Sequence, residues 1–157
     1  MDRRVGIAIL VTIVAVIVIA ALAPLLPIKG VKSSGLGILG PDGTARGFPN
    51  SVAVNQSFLL YGVVENHEGN VENYQVIVRV GNQSTIVNNV TYAIAPTIGT
   101  YWHILSDNQT WLFPMNLSLN HAGNETRLIF ELWLYDIPSS NYEYTGLWDQ
   151  IWLNVTA

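Results

Sequence analysis

Apolar and polar residues alternate with a period of two through most of the chain after Ser51. Phe58–Glu65 (FLLYGVVE) and Asn73–Gly81 (NYQVIVRVG) place β-branched and aromatic residues so that one face is apolar, the signature of half-buried strands. The same pattern predicts strands over Ser51–Asn55, Thr85–Ala95, Thr100–Leu105, Trp111–Leu119, Glu125–Asp136 and Leu147–Thr156. A first short strand is predicted at Leu36–Leu39, before a Pro-Asp-Gly turn. Turn residues separate these runs, and no helical period appears among them. Seven to nine short strands of this kind predict an all-β domain, an immunoglobulin-like β-sandwich.

The first residues follow another rule. Val5–Ile28 is apolar without interruption by charge, and its prolines, Pro24 and Pro27, come only near its end. A helix of about 20 apolar residues crosses a bilayer, so a transmembrane helix is predicted here. Its length favours an uncleaved signal anchor over a signal peptide removed at Ala21–Ala23, since a signal core is about 7–15 residues. The expected organisation is a cytoplasmic tip and anchor at 1–28, a linker with the first short strand at 29–47, and an extracytoplasmic β-sandwich at 48–157.

Basic residues flank the apolar run on both sides (Arg3 and Arg4, Lys29 and Lys32), so charge alone does not orient it. Asn-x-Ser/Thr tripeptides do. Seven begin at Asn55, Asn82, Asn89, Asn108, Asn116, Asn124 and Asn154, where the composition gives about two by chance. Such sites are modified outside the cytoplasm. The expected topology is single-pass in the cell membrane, N-terminus inside, with the C-terminal domain extracellular and N-glycosylated.

A glycan cannot point into a core, so the sequons also set strand phases. Asn154 outward puts Ile151, Leu153 and Val155 inward. Asn116 outward puts Phe113, Met115, Leu117 and Leu119 inward. Asn89 outward puts Ile86, Val90, Tyr92 and Ile94 inward. This phasing leaves Trp148 and Trp152 on the outward face of the last strand, and Trp133 outward beside Arg127, Ile129, Glu131 and Tyr135. Outward tryptophans fit a surface for sugar or a protein partner. They equally fit a sheet face covered by neighbouring strands or loops.

Charge narrows the partners. Gly35–Ala157 holds three arginines, no lysine and ten acids, a formal charge of −7. Nucleic acid and anionic lipid heads both call for basic surface, so no nucleic-acid partner is expected. Cysteine is absent, which removes disulfides, thiolate nucleophiles and thiolate metal ligands.

One stretch invites chemistry: ENHEGN, Glu65–Asn70, between two predicted strands. Acid–base work by His67 would need a nucleophile or substrate-orienting group within reach, and no G-x-S-x-G or paired-carboxylate pattern supplies one. His67, His103 and His121 match no zinc spacing. Calcium held by Glu68, Asp107 and Asp136 near turns is a further possibility, without an EF-hand pattern. The plainer reading is a turn: Asn66 and Asn70 bond their own backbone, Gly69 permits positive φ, and His67 and Glu68 pin the loop by bonding its backbone. No cofactor, metal or catalytic residue is expected.

The stretch ILGPDGTARGFPNSVAVNQSFLLYGVVENHEGNVENYQVIVRV resembles a largely archaeal family, the domain of unknown function 1616. The resemblance rests on Gly40-Pro41, Phe48-Pro49, Val52–Asn55, Asn66-His67-Glu68 and Tyr74, then on Trp111, Phe130, Leu132, Leu134 and Tyr135. It covers about 120 residues. It implies archaeal origin and a membrane-attached extracytoplasmic domain, and no established activity. Family members commonly carry several spans before this domain, whereas one is predicted here.

Together these readings predict a non-enzymatic envelope glycoprotein that makes protein–protein contacts, with a surface layer or as an accessory subunit of a membrane complex. An envelope glycan-binding module using Trp133, Trp148 and Trp152, a pilin-like filament subunit, and an enzyme acting around His67 are the alternatives. The expected partners are the lipid bilayer, other membrane or surface-layer proteins, and N-linked glycans.

Overall fold

The computed structural model describes residues 32–157; the predicted transmembrane helix at Val5–Ile28 lies outside them. The described residues form eight strands: β1 (Ser33–Leu39), β2 (Ser51–Ala53), β3 (Phe58–His67), β4 (Glu72–Gly81), β5 (Thr97–Leu105), β6 (Thr110–Leu117), β7 (Gly123–Asp136) and β8 (Asn141–Thr156). No helix occurs among them. The strands make a three-stranded sheet, β1-β3-β6, and a five-stranded sheet, β2-β8-β7-β4-β5. Only β2 with β8 is parallel; every other pair is antiparallel. The domain is therefore the expected all-β sandwich.

Alternation builds the core. From the small sheet, Ile38, Leu60, Val64, Phe113, Met115 and Leu117 point inward. They meet Tyr74, Val76, Val78, Leu128, Phe130, Leu132, Ile151, Leu153 and Val155 from the large sheet. The phases read from Asn116 and Asn154 hold, since their inward partners are buried and both asparagines are exposed. At the rim, β5 and β6 are edge strands of different sheets. His103 stacks on Trp111 with ring centroids 4.9 Å apart, Trp111 on Phe113 at 3.8 Å, and Tyr101 lies 5.2 Å from Phe113. These aromatic contacts close the seam between the sheets.

One strand does not form. Thr85–Ala95 is an irregular strap between β4 and β5. Ile86, Val90, Tyr92 and Ile94, expected inward, are exposed, Ile94 at 90%. Val87 and Ala93 are buried instead. The reason is local. Asn82 Oδ1 accepts from the Ser84 amide, and Asn88 Oδ1 accepts from the Val90 and Thr91 amides at 2.9 and 2.8 Å. Asparagine side chains thus take backbone donors that a ladder needs. By contrast, β8 starts six residues earlier than its alternation indicates, at Asn141, with Gly146 (φ 82°) at a break in its pairing with β7. A Cβ there would lie 2.4 Å from the Asn89 carbonyl oxygen, so glycine lets the strap touch the strand. The strand expected at Leu36–Leu39 also extends back, to Ser33, because it pairs with β3 as far as His67.

Candidate functional site

The ENHEGN turn is pinned by a residue other than its histidine. Asn66 is fully buried, and its Nδ2 donates to the Asn70 and Leu105 carbonyls, both at 2.8 Å. Its Oδ1 accepts from the Glu68 amide at 2.9 Å. Asn66 thereby ties the β3–β4 turn to the end of β5. The backbone pinning expected of His67 and Glu68 is corrected accordingly. Glu68 Oε1 accepts from Ser34 Oγ at 2.7 Å, and that hydroxyl also lies 2.9 Å from the Tyr74 phenol. His67 is half exposed; its Nδ1 lies 3.0 Å from Asn108 Oδ1 and its Nε2 3.9 Å from Glu65. Gly69 (φ 78°) donates its amide to Asp107 at 2.8 Å.

Carboxylates gather at this end of the sandwich: Glu65, Glu68, Glu72, Asp107, Asp136 and Glu143. Partial burial, then the charge of Glu68, pushes the Glu72 carboxyl up from its ordinary value. Among the described residues no three His, Cys, Asp or Glu side chains are arranged to hold a metal ion. His103 is stacked on Trp111, and His121 lies beside Asn120.

The outward tryptophans belong to a second feature. The strap crosses the outer face of the five-stranded sheet, touching β4, β7 and β8. Val87 and Ala93 pack on Ile129 with Trp148 alongside. Glu131, wholly buried, forms an ion pair with Arg79 at 2.8 Å. It also accepts from Trp133 Nε1 at 3.4 Å and from the Ala93 amide. Arg79 continues to the Ala95 carbonyl at 3.2 Å. Arg127 donates to the Thr85 carbonyl at 2.7 Å and to Gln150, with its guanidinium 5.5 Å from the Trp148 ring centre and 5.4 Å from that of Trp152. Burial pulls the Arg127 guanidinium down from its usual range. The Tyr144 phenol donates to the Asn88 carbonyl at 2.9 Å, and burial, with the Glu131 charge behind it, pushes its pKa up to about 12.

The three tryptophans therefore separate. Trp148 lies under the strap and Trp152 stands at 40% exposure against Arg127. Trp133 joins Tyr92 and Tyr144 in an aromatic cluster, with ring centroids 5.0–6.3 Å apart. Beside it, through Gln75, stands Trp102 on edge strand β5, 57% exposed. Pairing across the sheet brings Trp102 to this face; no spacing within one strand signals it.

All seven sequon asparagines are exposed. Asn55, Asn82, Asn116, Asn124 and Asn154 sit toward the end where β1 stops and β3 and β5 begin. Asn89 lies on the strap, and Asn108 lies at the end where β1 begins.

The sequence model of a family described as a domain of unknown function, DUF1616, matches residues 27–150. No curated protein matches the chain in sequence. In structure the chain is similar to the CARDB domain of a Pyrococcus furiosus protein, solved in complex with di-metal ions, with a TM-score of 0.50 and 12% identity over 81% of this chain and 90% of that one. It is also similar, at a TM-score of 0.49 and 7% identity, to a β-glucosidase from Listeria innocua in complex with glucose, spanning 80% of this chain and 16% of the enzyme. The sporulation control protein Spo0M of Bacillus subtilis matches at a TM-score of 0.46 and 9% identity, over 81% of this chain and 51% of that one. At 12% identity the likeness to the CARDB domain concerns the fold alone.

Proposed function

The chain belongs to the DUF1616 family, and we propose that it is a non-enzymatic, membrane-anchored, N-glycosylated cell-envelope protein that works by protein–protein contact. Its partner is a membrane complex, which it serves as an accessory subunit, or a surface layer. The distribution of sequons carries this reading. All seven asparagines are exposed, and five lie toward the end remote from Ser33, where the chain enters the domain. The end at Ser33 holds one sequon, at Asn108. It offers six carboxylates and the exposed apolar side chains of Val71, Ile104 and Ile137. A surface both acidic and apolar suits a basic protein partner with apolar anchors. Affinity purification of the full chain from its native membranes tests this. A stoichiometric partner is expected, lost or weakened in a Val71→Asp, Ile137→Asp double variant. Recovery of the chain alone contradicts the proposal.

The second reading, an envelope glycan-binding module, draws on the open aromatic face. Trp102, Trp133, Tyr92 and Tyr144 present ring surface suited to sugar. Binding to an array of envelope glycans, abolished by Trp102→Ala and unchanged by Trp148→Ala, would favour it over the first.

A further inference from the structure

Trp152 lies away from the Trp102–Trp133 aromatic face, toward the other end of the β7–β8 pair. It stands two residues before the sequon Asn154-Val155-Thr156 on β8. Residues i and i+2 of a strand share a face, about 7 Å apart, and here Ile151, Leu153 and Val155 are buried while Trp152 and Asn154 are exposed. The two outward side chains are therefore neighbours. Arg127 lies over the Trp152 ring, yet 40% of the residue stays open. Apart from the Arg127 contact, the indole makes no polar contact among the described residues, and its N–H has no hydrogen-bond partner.

The asparagine is oriented as well. β7 departs from regular pairing with β8 between Gly123 and Thr126. Within that irregularity Glu125 takes a positive φ of 52°, and its amide donates to Asn154 Oδ1 at 3.0 Å. This fixes the amide plane through its oxygen. The nitrogen, the atom that carries the first sugar, makes no hydrogen bond among the described residues. Glycosylation leaves Oδ1 an acceptor, so the modified side chain keeps this anchor. Other sequons differ: Asn108 donates its Nδ2 to Asp107 at 2.7 Å, and none of the other six carries an aromatic residue two positions before it.

We propose that Asn154 is a glycan site whose first pyranose ring stacks on the Trp152 indole, so that the glycan fastens the end of β8 to the domain surface. This rests on the glycoprotein reading above. The C–H face of a sugar ring is apolar and slightly positive, and the indole face is the electron-rich surface that receives it. Arg127 and the glycan would then occupy the two sides of one ring.

The test uses the full chain, extracted in mild detergent from a glycosylating host and from the same host lacking its oligosaccharide transferase. Trp152, Trp152→Ala and Trp152→Phe forms are compared by glycopeptide mass spectrometry and thermal melting. The glycan is expected to raise the melting temperature of the Trp152 protein by about 2–4 °C, that of the phenylalanine form by less, and that of the alanine form by under about 1 °C. Occupancy of Asn154 should fall in the alanine form while Asn116 is unaffected. Equal stabilisation of all three forms overturns the stacking. An unmodified Asn154 beside other occupied sequons overturns it and leaves the proposed function standing. Unmodified asparagines at all seven sites overturn both.

Discussion

Thr85–Ala95 and Trp111–Leu119 look alike as sequence: each alternates, and each carries a sequon that fixes an apolar face. The second becomes most of β6, with Phe113, Met115 and Leu117 in the core. The first is a strap lying on the outside of the other sheet, with its alternate apolar residues in solvent. The difference is in what holds each segment. β6 has a complete ladder with β3 and an aromatic stack. The strap has discrete anchors: Arg127 to Thr85, Tyr144 to Asn88, Glu131 to Ala93 and Arg79 to Ala95. Alternation signals a strand only where a neighbour supplies a ladder, and a strap can bury two small residues and satisfy its backbone through side chains.

The largest expected effect lies under the strap. Glu131→Ala strands the Arg79 charge and the Ala93 amide, and removal of one partner of a buried pair costs about 3–5 kcal/mol. Thermal melting should show it, with hydrogen exchange rising first in residues 82–96 while β6 stays protected. Equal loss of protection in both segments would erase the distinction. The matching lesion for β6 is Gly62→Ala. Its Cβ would lie 2.3 Å from the Phe113 ring, and overpacking of this kind costs about 1–3 kcal/mol. Here the rim between β5 and β6 should loosen, read as a change in Trp111 fluorescence, with the strap unaffected.

Asn66→Ala should cost about 1–3 kcal/mol, since it strands the Leu105 carbonyl and the Glu68 amide near the core. Smaller still is an alkaline effect. The Tyr144 pKa is raised by folding, so its contribution is complete below the unfolded value near 10 and is lost as pH rises through about 12. Ionisation there would break the bond to Asn88 and set two negative charges facing each other. The Tyr144→Phe protein should therefore lose less stability across that window in alkaline melts than the parent. His67→Ala should change stability by less than about 0.5 kcal/mol, because the ring is half exposed and bonds only other surface groups. A loss as large as that of Asn66→Ala would reinstate the histidine as the pin.

These pairs show how far the residues alone could be read. The sandwich was legible because β3, β4 and β6 each turn alternate apolar residues to a common core. The ENHEGN turn was legible as a turn, but its key residue was not: Asn66 acts through Leu105, 39 positions away, which no local pattern encodes. The outward tryptophans were visible as an oddity on β7 and β8. Their division into a covered Trp148, a clustered Trp133 and a Trp152 beside its sequon required knowing where the strap falls. Trp102 was missed because it joins that face only through β4. Buried Glu131 read as an ordinary outward acid, since a strand's phase indicates direction and says nothing of what lies on top.

The proposed function rests on glycans carried outside the cell at the domain's exposed sequons. Site-resolved glycopeptide mass spectrometry of the full chain from its native membranes tests it most directly. Glycans are expected on several of the seven asparagines, Asn116 and Asn154 among them. A native protein bare at every one of these sites would contradict it.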